Sequence, residues 1–494
     1  MFEKLGKFIV RRSKLVLLSF IITTIIAGAV GSLSFGRLDS GGYSDLNSDS
    51  AKAAKYVVDV FGAEEPVVVM VVDSASSTID DPAVVSTAIE IEKKIQNHKG
   101  VSKTYSYWST GGSPTMKSKD GKAGFILVYS DIDAFDWDAL SSVGASLQEE
   151  FDGKYKNVQV YASGAGVITY AINHKIEKDL ILAESIAIPL TFLLLVFVFG
   201  ALVASATPLF VGVTAILGSF FIIYLLTLFT NVSVFALNLI TGLGLGLGID
   251  YALLMVNRFR EELHNGHSVE ESVVTTVATA GKTVFYSGLT VFVTMASLLF
   301  FPLEFLKSFG YAGVAVITFA VIGAVIALPA LLAVLGEKVD KGVIRKSAIT
   351  PKEDGRWAHT ARNVMQRPVP VVIACLVVLG IMAAPVTNIS FAQVDSRVLP
   401  ASNPAAIASQ VVDTRFDGLI GSPIEVVVPN GVGRESEITS FLDKVKNVEG
   451  IVRVGAIETY KQDIRVQVIS SVPSRSTDSM KVIHDIRDLE QPAG

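Results

Sequence analysis

Long apolar runs alternate with polar regions along this chain, and their lengths predict seven membrane crossings. A helix needs about 20 apolar residues to cross the hydrocarbon core. The stretches 15–33, 181–199, 204–229, 232–257, 284–301, 309–335 and 369–386 fit that requirement. Pro189, Pro208 and Pro329 fall inside these runs. They are tolerable there because neighbouring helices re-satisfy the freed backbone groups. The first run carries Ala27-Gly28-Ala29, which resembles a signal-peptidase site. Its apolar core is longer than the roughly 7–15 residues of a signal peptide, so a retained anchor is expected.

Polar regions at 34–179 and 389–494 separate the runs. In the first, Pro66-Val-Val-Val-Met-Val-Val72 is a continuous β-branched run, as a buried strand would be. Asp81-Pro82 opens a helix reaching about His98. Strands are expected at 101–108, 123–130 and 157–162, with a helix at 138–151. The order β-α-β-β-α-β is that of a ferredoxin-like unit. The second region repeats it, offset by about 355 residues. Residues 389–395 echo 33–39, 423–428 echo the first strand, and 448–454 echo the stretch around 98–101. After a helix near 476–489 no return strand follows, and no second Asp-Tyr pair occurs. The expectation is an N-terminal half or a split subunit of a duplicated machine.

Composition fits this class. Half of the 494 residues are hydrophobic, 18% are charged and mean hydropathy is +0.50. Lys4, Lys7, Arg11, Arg12 and Lys14 precede the first run, and eight Lys or Arg residues lie at 336–368. Both segments are expected to be cytoplasmic, which puts 34–179 and 389–494 outside. The layout is thus 1–33 N-terminus and first span, 34–179 outer domain, 180–335 spans two to six, 336–368 linker, 369–388 seventh span, and 389–494 second outer domain. A net charge of −5, with no basic stripe, gives no reason to expect nucleic acid. The one cysteine, Cys375, excludes an intrachain disulfide and a multi-cysteine metal site.

Asp250 is the most informative residue. It stands alone in the run 232–257. A lone carboxylate at the centre of a membrane helix costs about 2.5–3.5 kcal/mol on insertion scales, which marks it as functional. A carboxyl group in such a setting can take up and release a proton. It precedes Arg258 by eight residues, which places it about 12 Å inside the cytoplasmic border. Gly242/Gly246 and Gly244/Gly248 have the small-xxx-small spacing that lets another helix come close. Tyr251 follows directly and can donate a hydrogen bond. In the fifth run, Ser287, Thr290 and Thr294 share one stripe; they either bond back to their own helix or form a polar wall opposite Asp250. Glu184, near the outer end of the second run, is expected at the headgroup boundary rather than in a relay, and Asn238 and Thr241 in the fourth run are ambiguous. Gly281-Lys282-Thr283 resembles the tail of a phosphate loop, but Thr276 stands where its first glycine belongs, so ATP is not expected. Residues 258–264 and 268–280 read as an amphipathic cytoplasmic helix.

Gly248-Ile-Asp250-Tyr251 followed by Asn257-Arg258-Phe-Arg260-Glu261-Glu262 resembles the fourth-span motif of the MMPL (mycobacterial membrane protein large) transporters, of the resistance–nodulation–division superfamily. The stretches 280–290 and 305–313 continue the likeness. The resemblance implies a helical membrane bundle with ferredoxin-like outer porter domains, in the bacterial plasma membrane. It implies export of lipids, glycolipids or other amphiphiles driven by protons, without a cofactor and without enzymatic chemistry. Asp250, Tyr251 and Ser287 take the proton-relay positions, and a second Asp-Tyr on a later span would face the first. The partners implied are membrane lipids, amphiphilic cargo, protons, and a C-terminal half or another copy of the chain. A non-transporting lipid-binding module and an inactive remnant remain the other readings.

Overall fold

Apolar runs without helix-breaking clusters become helices, and β-branched runs bounded by turns become strands. The computed structural model describes residues 1–39, 41–42, 45, 47–62, 65–132, 136–344, 356–389, 395–416, 423–472 and 476–492. In chain order the elements begin with α1 (Phe2–Arg11), α2 (Ser13–Gly31), α3 (Asp49–Phe61), β1 (Val68–Asp73), α4 (Pro82–Gln96) and β2 (Lys103–Ser106). Then come β3 (Ala123–Tyr129), α5 (Trp137–Phe151), β4 (Gly153–Tyr155) and β5 (Val158–Ser163). The bundle helices follow: α6 (Ala165–Phe199), α7 (Leu202–Thr227), α8 (Ala236–His264), α9 (Val269–Thr276), α10 (Lys282–Ala296), α11 (Glu304–Ile322) and α12 (Leu328–Leu335). Beyond them lie α13 (Arg356–Gln366), α14 (Pro368–Ala383), α15 (Pro404–Arg415), β6 (Ile424–Val428) and α16 (Glu435–Val445). The last elements are β7 (Ile451–Val454), β8 (Glu458–Tyr460), β9 (Asp463–Ser470) and α17 (Thr477–Arg487). Two compact units result, one of residues 1–45 and 179–383, the other of 46–178 and 384–494.

Seven helices among the described residues are long and apolar enough to cross a membrane. Each coincides with one of the seven runs, and the protein is a multi-pass membrane protein of the inner membrane type. Several helices outlast their apolar stretch. The second extends back to Ala165, making 35 residues. The amphipathic helix expected at 268–280 is not a separate element. Ser268 and Glu271 form a capping box that starts α9, and the chain passes through a π-helical turn, Val277–Gly281, straight into α10. Nothing breaks it, because Gly281 itself takes a helical φ of −61°. The cytoplasmic linker expected at 336–368 lies partly outside the described residues, as do positions 390–394 of the repeat at 389–395.

In the other unit, the first sheet has the order β2-β3-β1-β5-β4, all antiparallel neighbours. This is the ferredoxin-like arrangement, with β4 as a short addition. Asp81 caps α4 by accepting from the Ala83 N–H at 2.9 Å. Ile91 and Ile95 of α4 and Leu147 of α5 cover one face of the sheet, against Met70, Val72 and Ile126. Val69, Val71 and Phe125 line the other face, which is covered by Val411, Val412 and Phe416 from the end of α15. All six residues of β1 are therefore buried, which explains its unalternating sequence. The rings of Phe125 and Phe416 stack with centroids 3.8 Å apart. Arg415 clamps the contact, with Nη1 2.6 Å from Asp73 Oδ2 and Nη2 2.8 Å from Asp120 Oδ2.

The second sheet runs β6-β9-β7, with β8 also on β9. Among the described residues β6 pairs with β9 alone, so the edge that β5 occupies in the first sheet carries no strand here. α3 lies beside β6, with Phe61 6.3 Å from Tyr460, and Arg487 donates to Ser50 Oγ at 3.2 Å. The two copies thus exchange helices: α15 covers the first sheet and α3 sits on the second.

Two measurements check this packing. Arg415→Ala leaves two carboxylates without their cation. The pair is partly solvated, so the loss is set below the 3–5 kcal/mol of a fully buried pair, at about 2 kcal/mol. Thermal melting of the purified chain should fall, and limited proteolysis should cut around α15 sooner. The second concerns Asp152, whose Oδ1 accepts from the Ala162 N–H at 2.9 Å. Burial pushes its carboxyl above the ordinary carboxylate range, against the lowering effect of that bond. A raised acid favours the folded state when protonated, and this stability is lost as pH rises through its folded-state pKa. Asp152→Asn, whose amide oxygen can still accept, should therefore melt higher than the parent at neutral pH. The difference should shrink as pH falls.

Candidate functional site

The glycines of α8 divide into two faces. A methyl group on Gly248 would lie 2.6 Å from Cα of Gly212, and one on Gly244 would lie 2.6 Å from Cγ1 of Ile216. Both glycines are buried against α7, where only their missing side chains permit such approach. Gly242 and Gly246 have nothing within 4 Å of the same position. They lie on an exposed stripe, Asn238–Gly242–Gly246–Asp250, four residues apart and so on one side of the helix. Among the described residues Asp250 is exposed.

Tyr251 turns the other way. It is 2% exposed, and its hydroxyl has no hydrogen-bond partner among the described residues. That hydroxyl lies 3.7 Å from where a methyl on Gly288 would stand, and the Ser287 side chain and the Asp250 carboxyl group are its polar neighbours. Gly288 is needed for more than this, since a methyl there would meet Val321 of α11 at 2.3 Å. The structure therefore brings Asp250, Tyr251 and Ser287 close together where α8 meets α10, with Asp250 and Ser287 exposed among the described residues and Tyr251 buried.

Thr290 and Thr294 bond back to the carbonyls of Tyr286 and Thr290, each at 3.0 Å. They also stay exposed, in line with Ser287. Spacing at 287, 290 and 294 revealed the stripe, but its extension to Thr283 and Ser297 emerges only with the exposure pattern. The stretch 305–313 is a packing device. Ser308 Oγ accepts from the Ser233 N–H at 2.9 Å, and methyls on Gly310 and Gly313 would meet Leu299 and Met295, each at 2.7 Å.

The remaining flagged residues separate. Thr241 is buried and bonds back to the Asn238 carbonyl at 3.3 Å. Glu184 has a buried Oε1 without a partner among the described residues, on a helix other than α8 and α10. Gly281-Lys282-Thr283 lies within continuous helix and offers no phosphate-cradling loop. Sequence reading missed a charged cluster at the Arg258 end of α8. Arg260 Nε lies 2.8 Å from Asp340 Oδ1 and its Nη1 donates to the Phe199 carbonyl at 3.0 Å, while His267 lies 3.0 Å from the buried Glu262. Among the described residues no group of three or more His, Cys, Asp or Glu side chains could hold a metal ion.

The MMPL family model matches residues 43–371, two-thirds of the sequence, including α8 and α10. The chain belongs to the MMPL family. A Streptomyces coelicolor membrane protein is 32% identical over 454 residues, 91% of this chain and 62% of that protein. The trehalose monomycolate exporter MmpL3 of Mycobacterium tuberculosis is 26% identical over 534 residues, 98% of this chain and 56% of that protein. The mycolic acid-containing lipids exporter MmpL11 of Mycolicibacterium smegmatis is 29% identical over 290 residues, 58% of this chain and 30% of that protein. The first two matches span 62% and 56% of those relatives' length.

In this MMPL chain the two glycine pairs respond differently to substitution. Gly248→Leu should prevent the approach of α7 and α8 and abolish stable membrane expression, because the obstacle is the backbone of Gly212. Gly246→Leu should leave the chain folded and inserted, since its surroundings are open. Size-exclusion profiles of the two variants in detergent check this. Equal loss of both would contradict the two-faced reading of α8.

Proposed function

We propose that this MMPL chain forms the N-terminal half of a proton-driven exporter of lipids or other amphiphiles, with Asp250 as the proton carrier. The observation that carries this reading is the uncovered stripe on α8 that ends at Asp250. A carboxyl group left against lipid is costly, so a helix from a second bundle is the natural cover. The glycines at 242 and 246 leave room for its backbone. That bundle comes from the further length the relatives possess or from another copy of this chain. The similarity to MmpL3, a trehalose monomycolate exporter, and to MmpL11, an exporter of mycolic acid-containing lipids, supports an amphiphilic cargo.

The chemistry follows from the arrangement. When Asp250 is ionised, its charge resists burial against an apolar helix; when it is neutral, that helix can close on Gly242 and Gly246. The Tyr251 and Ser287 hydroxyls stand beside it to pass the proton and to hold the carboxylate. A proton falling through the membrane potential releases about 2.3 kcal/mol per 100 mV. Converted into helix movement, this energy drives the outer domains, which handle the cargo. The driving force is the proton gradient, not ATP.

The test is Asp250→Asn in the assembled exporter, in vesicles with an imposed proton gradient. The asparagine keeps size and polarity but cannot titrate. Membrane insertion should be unchanged, and amphiphile movement should fall to the rate seen without a gradient. Gradient-driven movement at the parent rate would refute the carrier role.

A further inference from the structure

We propose that the open notch between α1 and the start of α10 binds the headgroup of an anionic phospholipid from the cytoplasmic leaflet, with Lys282 on the phosphate. The proposal uses only the orientation expected from the Lys and Arg distribution, and it is independent of the proton-carrier reading.

The notch follows from how α1 is seated. A methyl group on Gly6 would meet Cα of Val274 in α9 at 3.0 Å, so the glycine lets α1 lie directly on that helix. Ile9, one turn on, is fully buried. This seating brings the Phe2 ring edge-on to Phe285, with centroids 5.6 Å apart, and Phe285 in turn meets Tyr286 at 5.7 Å. The walls of the notch include Phe2, Glu3, Ala278, Lys282, Phe285 and Tyr286.

Charge selects the occupant. Lys282 is exposed and has neither an ion pair nor a hydrogen bond among the described residues. The carboxylate on the wall, Glu3, is taken by Lys7, whose Nζ lies 2.6 Å from Glu3 Oε1. At 1.5 Å per residue Glu271 and Glu270 lie about 16–18 Å back along the continuous helix, and Glu271 accepts from Ser268 Oγ at 2.8 Å. Lys4, Arg11, Arg12 and Lys14 add exposed positive charge along α1 and the start of α2. Lys282 stands just before Val284, where the apolar run begins, so its flexible stem can carry the ammonium to headgroup level. There it meets the negative surface potential of the cytoplasmic leaflet.

The adjoining strip of α10 suits the rest of a lipid molecule. Lys282, Tyr286, Leu289 and Val293 fall on one side of the helix, with Tyr286 55%, Leu289 47% and Val293 61% exposed. From Lys282 to Val293 the helix rises about 16 Å, close to half of the roughly 30 Å hydrocarbon core. Cation, phenol and apolar side chains thus succeed one another in the order of phosphate, glycerol ester and acyl chain in one leaflet. A soluble phosphate would use the cation alone and leave the strip bare, so the chemistry favours the lipid.

The experiment is fluorescence quenching by brominated lipids in vesicles that hold the full chain. Leu289→Trp places a reporter on the strip and leaves Lys282 and Tyr286 intact. The parent chain, with its own 3 tryptophans, supplies the background signal. Brominated phosphatidylglycerol should reach this reporter with a relative affinity at least about fivefold above that of brominated phosphatidylcholine, the factor one lysine contributes at an anionic surface. Adding Lys282→Gln should bring the two lipids to about equal affinity. Adding Lys14→Gln removes the same charge outside the notch walls and should change the preference by less than about twofold. Equal quenching by the two lipids would overturn the proposal. So would a preference that survives Lys282→Gln, or one that Lys14→Gln abolishes equally. Loss of the preference on adding inorganic phosphate, where chloride of equal ionic strength has no effect, would also overturn it, because the notch would then serve a soluble anion. No transport is measured, so the exporter reading stands apart from every one of these results.

Discussion

The close approach of α7 and α8 at Gly212 and Gly248 sets the rest of the membrane unit. Where two backbones come this near, no side chain can intervene, so the rotation of α8 about its own axis is fixed. That rotation buries Tyr251 and turns Asn238, Gly242, Gly246 and Asp250 outward together. It also brings the Tyr251 hydroxyl to Ser287 and Gly288 of α10, which Val321 of α11 holds from behind. A single backbone contact thus decides which groups of the fourth span belong to the protein core and which are exposed.

Much of this could be read from the chain. The seven spans follow from length and hydropathy alone, because a bilayer leaves a crossing segment little choice. The first ferredoxin-like unit was readable because β1 is covered on both faces and shows it as an unbroken run from Val67 to Val72. Asp250, Tyr251 and the glycines stood out because charge and missing side chains are conspicuous in a membrane helix. What spacing could not give was which glycine pair is packed. Gly242/Gly246 and Gly244/Gly248 are identical as patterns, and only the neighbour distinguishes them. The exchange of α3 and α15 between the two sheets was also hidden. Arg415 meets Asp73 and Asp120 across some 300 residues of sequence, and no local pattern announces such a contact.

The sheet-containing unit and the helical bundle solve related problems. The first sheet would expose Val69, Val71 and Phe125 if α15 did not cover them, and Arg415 makes that cover specific by satisfying two carboxylates at once. The bundle has a comparable open surface at the α8–α10 face, but its polar groups are still uncovered. The same physical demand, that a costly surface find its complement, is met inside the chain in one case; in the other the proposed second bundle would meet it.

The most direct measurement of that demand is the environment of Gly246. A nitroxide on Gly246→Cys, in a Cys375→Ser background and in membranes where the exporter is active, reports whether its surroundings are lipid, water or protein. If a second helix covers this stripe, the label will be immobilised and shielded from oxygen dissolved in the lipid. Mobility and oxygen accessibility equal to those of a label on the exposed, apolar position Val293 would show that no second helix covers the stripe, and would contradict this account.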